Sequence, residues 1–173
     1  MKDFSNYWNA ISFAFIKYGG LKRKEKDIPY VIHPIRITMI LHAAGFNEFD
    51  HEDLMIAALF HDLIEDTDIK LNEIENDYGK KVGQIVVELS KPDGAKGRKK
   101  DEWLEKFVNS SKEAKIIKLA DRIDNLMDMK GVWGEEKQRS YAEQARIILR
   151  VCGDANKQLA DKLAQITNEI LNK

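Results

Sequence analysis

The chain has 173 residues, with 28 Lys and Arg against 29 Asp and Glu and a formal net charge of −1. That balance argues against a general nucleic-acid binder, which carries a strong positive excess. The length suits a single domain, residues 1–173, able to bury roughly 70% of its unfolded surface. The one cysteine, Cys152, can make no internal disulfide and suits a reducing compartment. The opening Met-Lys-Asp-Phe lacks the apolar run of a signal peptide, and no apolar stretch reaches transmembrane length. A cytoplasmic protein with neither membrane nor nucleic-acid partners is expected.

Helical periodicity dominates, with no convincing alternating strand. Phe4, Trp8, Ile11 and Phe15 recur at helical spacing, and Gly19-Gly20 ends that element. A charged loop, residues 22–27, leads to Pro29-Tyr-Val-Ile-His33. Pro34 suits the first turn of the next helix, which stops at Gly45. Asp50 is placed to cap a helix over residues 54–66. Shorter helices follow over 71–77, ended by Tyr78-Gly79, and over 80–89. Residues 91–100 form a flexible loop rich in glycine and positive charge. Helices near 102–108, 113–129, 135–151 and 155–171 complete the chain, with Gly153-Asp154 breaking the last two apart. The expectation is all-α, a single-domain helical bundle of about eight helices.

The segment 54–66, Leu-Met-Ile-Ala-Ala-Leu-Phe-His-Asp-Leu-Ile-Glu-Asp, is apolar all round its first two turns, as in a buried helix. At 100° per residue His61, Asp62, Glu65 and Asp66 then share a sector about 140° wide. Three carboxylates and an imidazole on a buried wall cost several kcal/mol each unless compensated. A divalent cation would compensate them. His33 stands at a helix entrance before Pro34, and Asp121 and Asn125 lie one turn apart in Lys118-Leu-Ala-Asp-Arg-Ile-Asp-Asn125. Two imidazoles and two carboxylates suit Mn²⁺, Fe²⁺, Zn²⁺ or Co²⁺ better than Ca²⁺ and leave positions open for water and substrate. Singly, each residue has a blander reading. His33 is then a helix-entrance histidine, His61 a hydrogen-bonded core residue, and Asp121 with Asn125 a solvated helix face. Glu65-Asp66 is then a helix end, and the lysine runs are solvated loops.

The arrangement His33…His61-Asp62…Asp121 resembles the signature of the HD-domain phosphohydrolases. Pro29-Tyr30…His33-Pro34, Ala57-Ala-Leu-Phe-His-Asp-Leu-Ile-Glu-Asp-Thr67, Glu73, Gly79, Lys118-Leu-Ala-Asp-Arg122 and Asn125-Leu126 narrow the likeness. Together they resemble the hydrolase domain of the RelA/SpoT homologues, and most of all the stand-alone small alarmone hydrolases that lack a synthetase domain. The resemblance implies an HD-type fold and hydrolysis of (p)ppGpp to GDP or GTP and pyrophosphate, with Mn²⁺ as cofactor. It implies metal ligation by His33, His61, Asp62 and Asp121, and handling of the attacking water by Glu65 and Asp66. It implies contacts to the nucleotide by Arg23, Lys24, Asn125 and Tyr141. The basic runs 22–26 and 91–100 suit an anionic substrate. Two other readings stay open at this point. One is an HD phosphohydrolase acting on another nucleotide phosphate, a nucleoside phosphate or the 2′-phosphate of NADPH. The other is a non-catalytic nucleotide-sensing module.

Overall fold

A computed structural model describes residues 3–23, 26–92 and 94–172. Their regular structure is all-α: ten α-helices and one 3-10 turn, with a single isolated bridge, Lys22 to Pro29. The chain clusters into two units that divide after Ser90. No helix among the described residues is long and apolar enough to cross a membrane.

The first unit holds α1 (Ser5–Lys17), α2 (Ile32–Ala43), α3 (Glu52–Phe60), α4 (Leu63–Asp66), α5 (Leu71–Tyr78) and α6 (Lys80–Leu89). Its centre is α3, where Leu54 through Phe60 are all buried against α1, α2 and α6. Removing Leu54, Met55, Ile56, Leu59 and Phe60 from water contributes about 8–15 kcal/mol before any entropy cost. Phe60 also meets Phe13 of α1 and Tyr78 of α5, at centroid distances of 5.3 and 4.7 Å, which ties three helices together.

Three expectations differ from the structure: the Asp50 cap, the unbroken helix over 54–66 and the loop at 98–100. On α1, Trp8 and Phe15 are 64% and 57% exposed, while Ala10 and Ala14 are the buried residues. Two alanines one turn apart form a smooth strip against which α3 packs closely. Asp50 does not cap α3: the N-cap is His51, without a side-chain cap, and Asn47 Oδ1 instead accepts from the Phe49 and Asp50 amides. Glu52 and Asp53 in the first turn compensate through the helix dipole. The helix expected over 54–66 is broken. Asp62 (φ −107°, ψ 1°) leaves α-geometry, and α4 restarts with the Asp66 amide donating to Asp62 O at 2.9 Å. Finally, Arg98–Lys100 are not loop but the first turn of the next helix, where Arg98 pairs with Glu102 at 3.0 Å.

The α5–α6 corner is a single residue. Gly79 ends one helix and begins the next at φ 92°, a conformation that side chains disfavour.

The second unit comprises α7 (Arg98–Glu105), the 3-10 turn Lys106–Asn109, α8 (Lys112–Asp128), α9 (Glu135–Cys152) and α10 (Lys157–Leu171). Helices α8, α9 and α10 pack on one another, and α7 lies on α9. Ser111 caps α8 by accepting from the Ala114 amide, and Asn156 caps α10 by accepting from Leu159. α8 is buried along most of its length, and Lys118, Asp121, Arg122 and Asp124 are buried with it.

Candidate metal centre

His33 projects from the first turn of α2, where Pro34 presets the backbone, and is buried at 1% exposure. His61 follows the last residue of α3 and is equally enclosed. The two rings meet edge to face, centroids 5.0 Å apart at 67°. Asp62 Oδ2 stands 3.0 Å from His61 Nε2 and 3.8 Å from His33 Nε2. One ligand atom from each of the three residues lies within 4.8 Å of the others.

The tautomer follows from the backbone. His61 Nδ1 is 2.9 Å from Ala58 O, which can only accept, so Nδ1 carries a proton. In the neutral ring Nε2 then bears a lone pair, and it faces a carboxylate oxygen. Two electron-rich atoms at that separation in a poorly hydrated site repel unless a positive charge joins them. A divalent ion held by imidazole nitrogen and carboxylate oxygen is the chemistry this donor set fits.

Beyond Asp62, α4 carries Glu65 and Asp66, whose amides both donate to Asp62 O, at 3.2 and 2.9 Å. Glu65 is part-buried and Asp66 exposed. Their charges converge with that of Asp62 on the Tyr18 hydroxyl. Burial pushes that hydroxyl well above the usual phenol range, the three carboxylates push it further, and the Asp62 backbone N–H opposes them. Tyr30 donates its hydroxyl to Asp62 Oδ2 at 2.5 Å, and the Arg23 guanidinium lies 5.6 Å from the centre of its ring. Lys24 lies outside the described residues.

Asp121 and Asn125 belong to the second unit, one turn apart on α8. Asp121 is not on a solvated face but 6% exposed. Its Oδ2 accepts from Lys118 Nζ at 2.9 Å and its Oδ1 from Asn125 Nδ2 at 2.5 Å. Lys118 in turn lies over Trp103 at 4.6 Å. Tyr141 on α9 sits between cations, with Lys100 Nζ 4.3 Å and Arg122 Cζ 4.5 Å from its ring centre, and Arg122 donates to its carbonyl at 3.1 Å. Burial would raise the Tyr141 phenol, but Lys100 and Arg122 outweigh it and leave the group below its ordinary value. Lys100 is lowered by burial first, Tyr141 opposes that, and Arg122 and Lys118 lower it further.

Sequence alone assigns no role to Tyr30, Tyr18, Lys118 or Arg122, and counts Lys100 only within the basic run 91–100. Tyr30 and Lys118 stood inside the quoted motifs. Their spacing from His33 and Asp121, three residues in each case, was the available signal.

The HD-domain family matches residues 10–151. The mouse (Mus musculus) guanosine-3′,5′-bis(diphosphate) 3′-pyrophosphohydrolase MESH1 is 34% identical over 167 residues, covering 92% of this chain and 92% of its own. The guanosine-3′,5′-bis(diphosphate) 3′-pyrophosphohydrolase of Aquifex aeolicus is 35% identical over 145 residues, 80% of this chain but 20% of that longer protein. Among solved structures, one described as a metazoan ortholog of SpoT that hydrolyzes ppGpp superposes with a TM-score of 0.86 at 28% identity, covering 95% of both chains. A Listeria monocytogenes protein, lmo0812, shares the fold at a TM-score of 0.66. HD-domain hydrolases are metal-dependent, in keeping with the His33–His61–Asp62 cluster. The chain belongs to the HD-domain family, alongside the MESH1- and SpoT-like pyrophosphohydrolases.

Proposed function

We propose that this protein is a Mn²⁺-dependent (p)ppGpp 3′-pyrophosphohydrolase, yielding GDP or GTP and pyrophosphate. The observation that carries the reading is the His33–His61–Asp62 cluster followed one turn later by Glu65 and Asp66, in a chain matched over 92% of its length to MESH1. The family match runs across both units, which supports a single functional domain. His33, His61 and Asp62 would hold the metal, with Asp121 as a fourth ligand by its place in the motif. A bound ion would supply positive charge to phosphate oxygens and make water at the site more acidic.

The rest is the work of side chains. Glu65 and Asp66 orient the attacking water and accept its proton as oxygen bonds to the phosphorus attached to the 3′-oxygen. The P–O3′ bond breaks, and the 3′-oxygen takes up a proton as pyrophosphate departs. Arg23, with its planar fork, grips phosphate oxygens, assisted by Lys24. Asn125 and Tyr141 contact the nucleotide, and Lys100 beside Tyr141 contributes positive charge there. Hydroxyl-rich, multiply charged nucleotides suit such a mix of cations and one aromatic face.

The test is product analysis. Mn²⁺-loaded protein incubated with ppGpp should release GDP and pyrophosphate, and Asp62→Ala should abolish the release. Intact ppGpp under conditions where other nucleotides are cleaved, or orthophosphate in place of pyrophosphate, refutes the assignment.

A further inference from the structure

Tyr30 joins parts of the first unit that have separate tasks in the proposed reaction. Its hydroxyl donates to Asp62 Oδ2, the oxygen that faces both imidazole Nε2 atoms. Its ring meets the edge of His33 at 5.8 Å and 74°, and Arg23 lies over the same ring. Tyr18 packs against it at 5.3 Å. The backbone is pinned on both sides: the Tyr30 amide donates to Leu21 O at 2.8 Å, and the His33 amide donates to Tyr30 O at 2.9 Å. The phenol hydroxyl is the donor of this pair and the carboxylate its acceptor.

We infer that Tyr30 is a positioning residue that holds the metal carboxylate of Asp62 and the phosphate-gripping Arg23 in register through one side chain. The physical need is specific. The terminal torsion of aspartate is broad and two-fold, so a part-exposed carboxylate does not keep one oxygen turned toward two imidazoles by itself. A hydrogen bond from a part-buried phenol whose backbone is pinned on both sides fixes that torsion. The same ring offers its face to the guanidinium, so a shift of Asp62 and a shift of Arg23 are coupled. Partners of this kind behind a metal ligand alter affinity without touching the ion.

This rests on the proposed roles of Asp62 and Arg23, and the experiment separates the two levels. Metal-free protein is titrated with Mn²⁺, and free ion is followed by its electron paramagnetic resonance signal. Wild type, Tyr30→Phe, Tyr18→Phe, Arg23→Ala and Asp62→Ala are compared, each with a thermal melt. Tyr30→Phe should weaken Mn²⁺ binding about 10–100-fold and raise KM for ppGpp. Arg23→Ala should raise KM while leaving Mn²⁺ affinity intact. Tyr18→Phe is the control for packing. Its hydroxyl meets the Asp62 backbone N–H rather than a metal-ligating atom, so its loss should shift Mn²⁺ affinity by no more than about twofold. Wild-type affinity in Tyr30→Phe, or equal losses in Tyr18→Phe and Tyr30→Phe, overturns the inference. Wild-type affinity in Asp62→Ala overturns the metal site itself.

Discussion

Asp121→Ala should destabilise the metal-free protein as well as impair its chemistry, and the structure sets the size of the effect. Lys118 Nζ and Asp121 Oδ2 are 2.9 Å apart, with side-chain exposures of 10% and 9%. At an effective dielectric of 20 the Coulomb attraction of such a pair is about 6 kcal/mol, before the cost of desolvating both ions. Removing the carboxylate strands the Lys118 ammonium among Trp103 and Phe107, and it leaves Asn125 without its acceptor on Oδ1. An uncompensated buried charge costs about 3–5 kcal/mol. For a chain of this length that lowers the melting temperature by about 6–20 °C. The double variant Lys118→Met/Asp121→Leu removes both charges at similar volume and should lie within about 2 kcal/mol of wild type. Urea and thermal melts of wild type, both single variants and the double variant, all in chelator, measure the coupling. An Asp121→Ala protein within about 0.5 kcal/mol of wild type, or single effects that simply add, would refute the reasoning.

Glu65→Gln should cut ppGpp turnover about 10²–10⁴-fold while Mn²⁺ affinity stays at the wild-type value, as steady-state kinetics beside a metal titration will show. Phe60→Ala should cost about 3–5 kcal/mol, because it empties the junction with Phe13 and Tyr78. It should also weaken metal binding by loosening the adjacent His61, so a melt and a Mn²⁺ titration read the two effects separately. Cys152 gives an alkaline signature. Burial pushes its thiol up to about 12, so above the ordinary thiol range the unfolded chain releases a proton that the folded chain retains. Stability therefore falls as pH rises, by about 1.4 kcal/mol at pH 10. Cys152→Ala should lack that part of the decline in urea melts from pH 8 to 11.

The helices legible from sequence are those whose ends carry their own chemistry. Gly79 with its positive φ closes α5, and Pro34 sits in the first turn of α2. Where tertiary packing decides, the pattern misleads. The period of Phe4, Trp8, Ile11 and Phe15 is helical, but period alone does not say which side meets α3. The side that is buried carries Ala10 and Ala14. Arg98–Lys100 read as loop from charge and neighbouring glycine, yet they form the first turn of α7, where Arg98 pairs with Glu102 and Lys100 lies over Tyr141. At the site, the imidazoles and Asp62 were legible because few other roles explain polar groups inside an apolar segment. Tyr30 and Lys118 were not, because a tyrosine or lysine beside a motif gains its role only from the carboxylate that folding brings to it.

Asp62 shows why local propensity and chemistry part company at this position. On an uninterrupted helix residues i and i+1 point about 100° apart and do not face each other. Through a continuous α3 His61 and Asp62 would diverge, one into the core and one along its flank. Instead the chain leaves α-geometry at Asp62 itself, and the carboxylate swings to within 3.0 Å of its neighbour's Nε2. Restarting the helix at Leu63 then sets Glu65 and Asp66 one turn further on, with their amides on Asp62 O. The backbone departure thus accompanies the approach of adjacent residues to one point, with the Glu65–Asp66 pair set one turn beyond them. The apolar run from Leu54 to Phe60 anchors the arrangement, since a fully buried helix gives His61 a fixed origin from which the bend is measured.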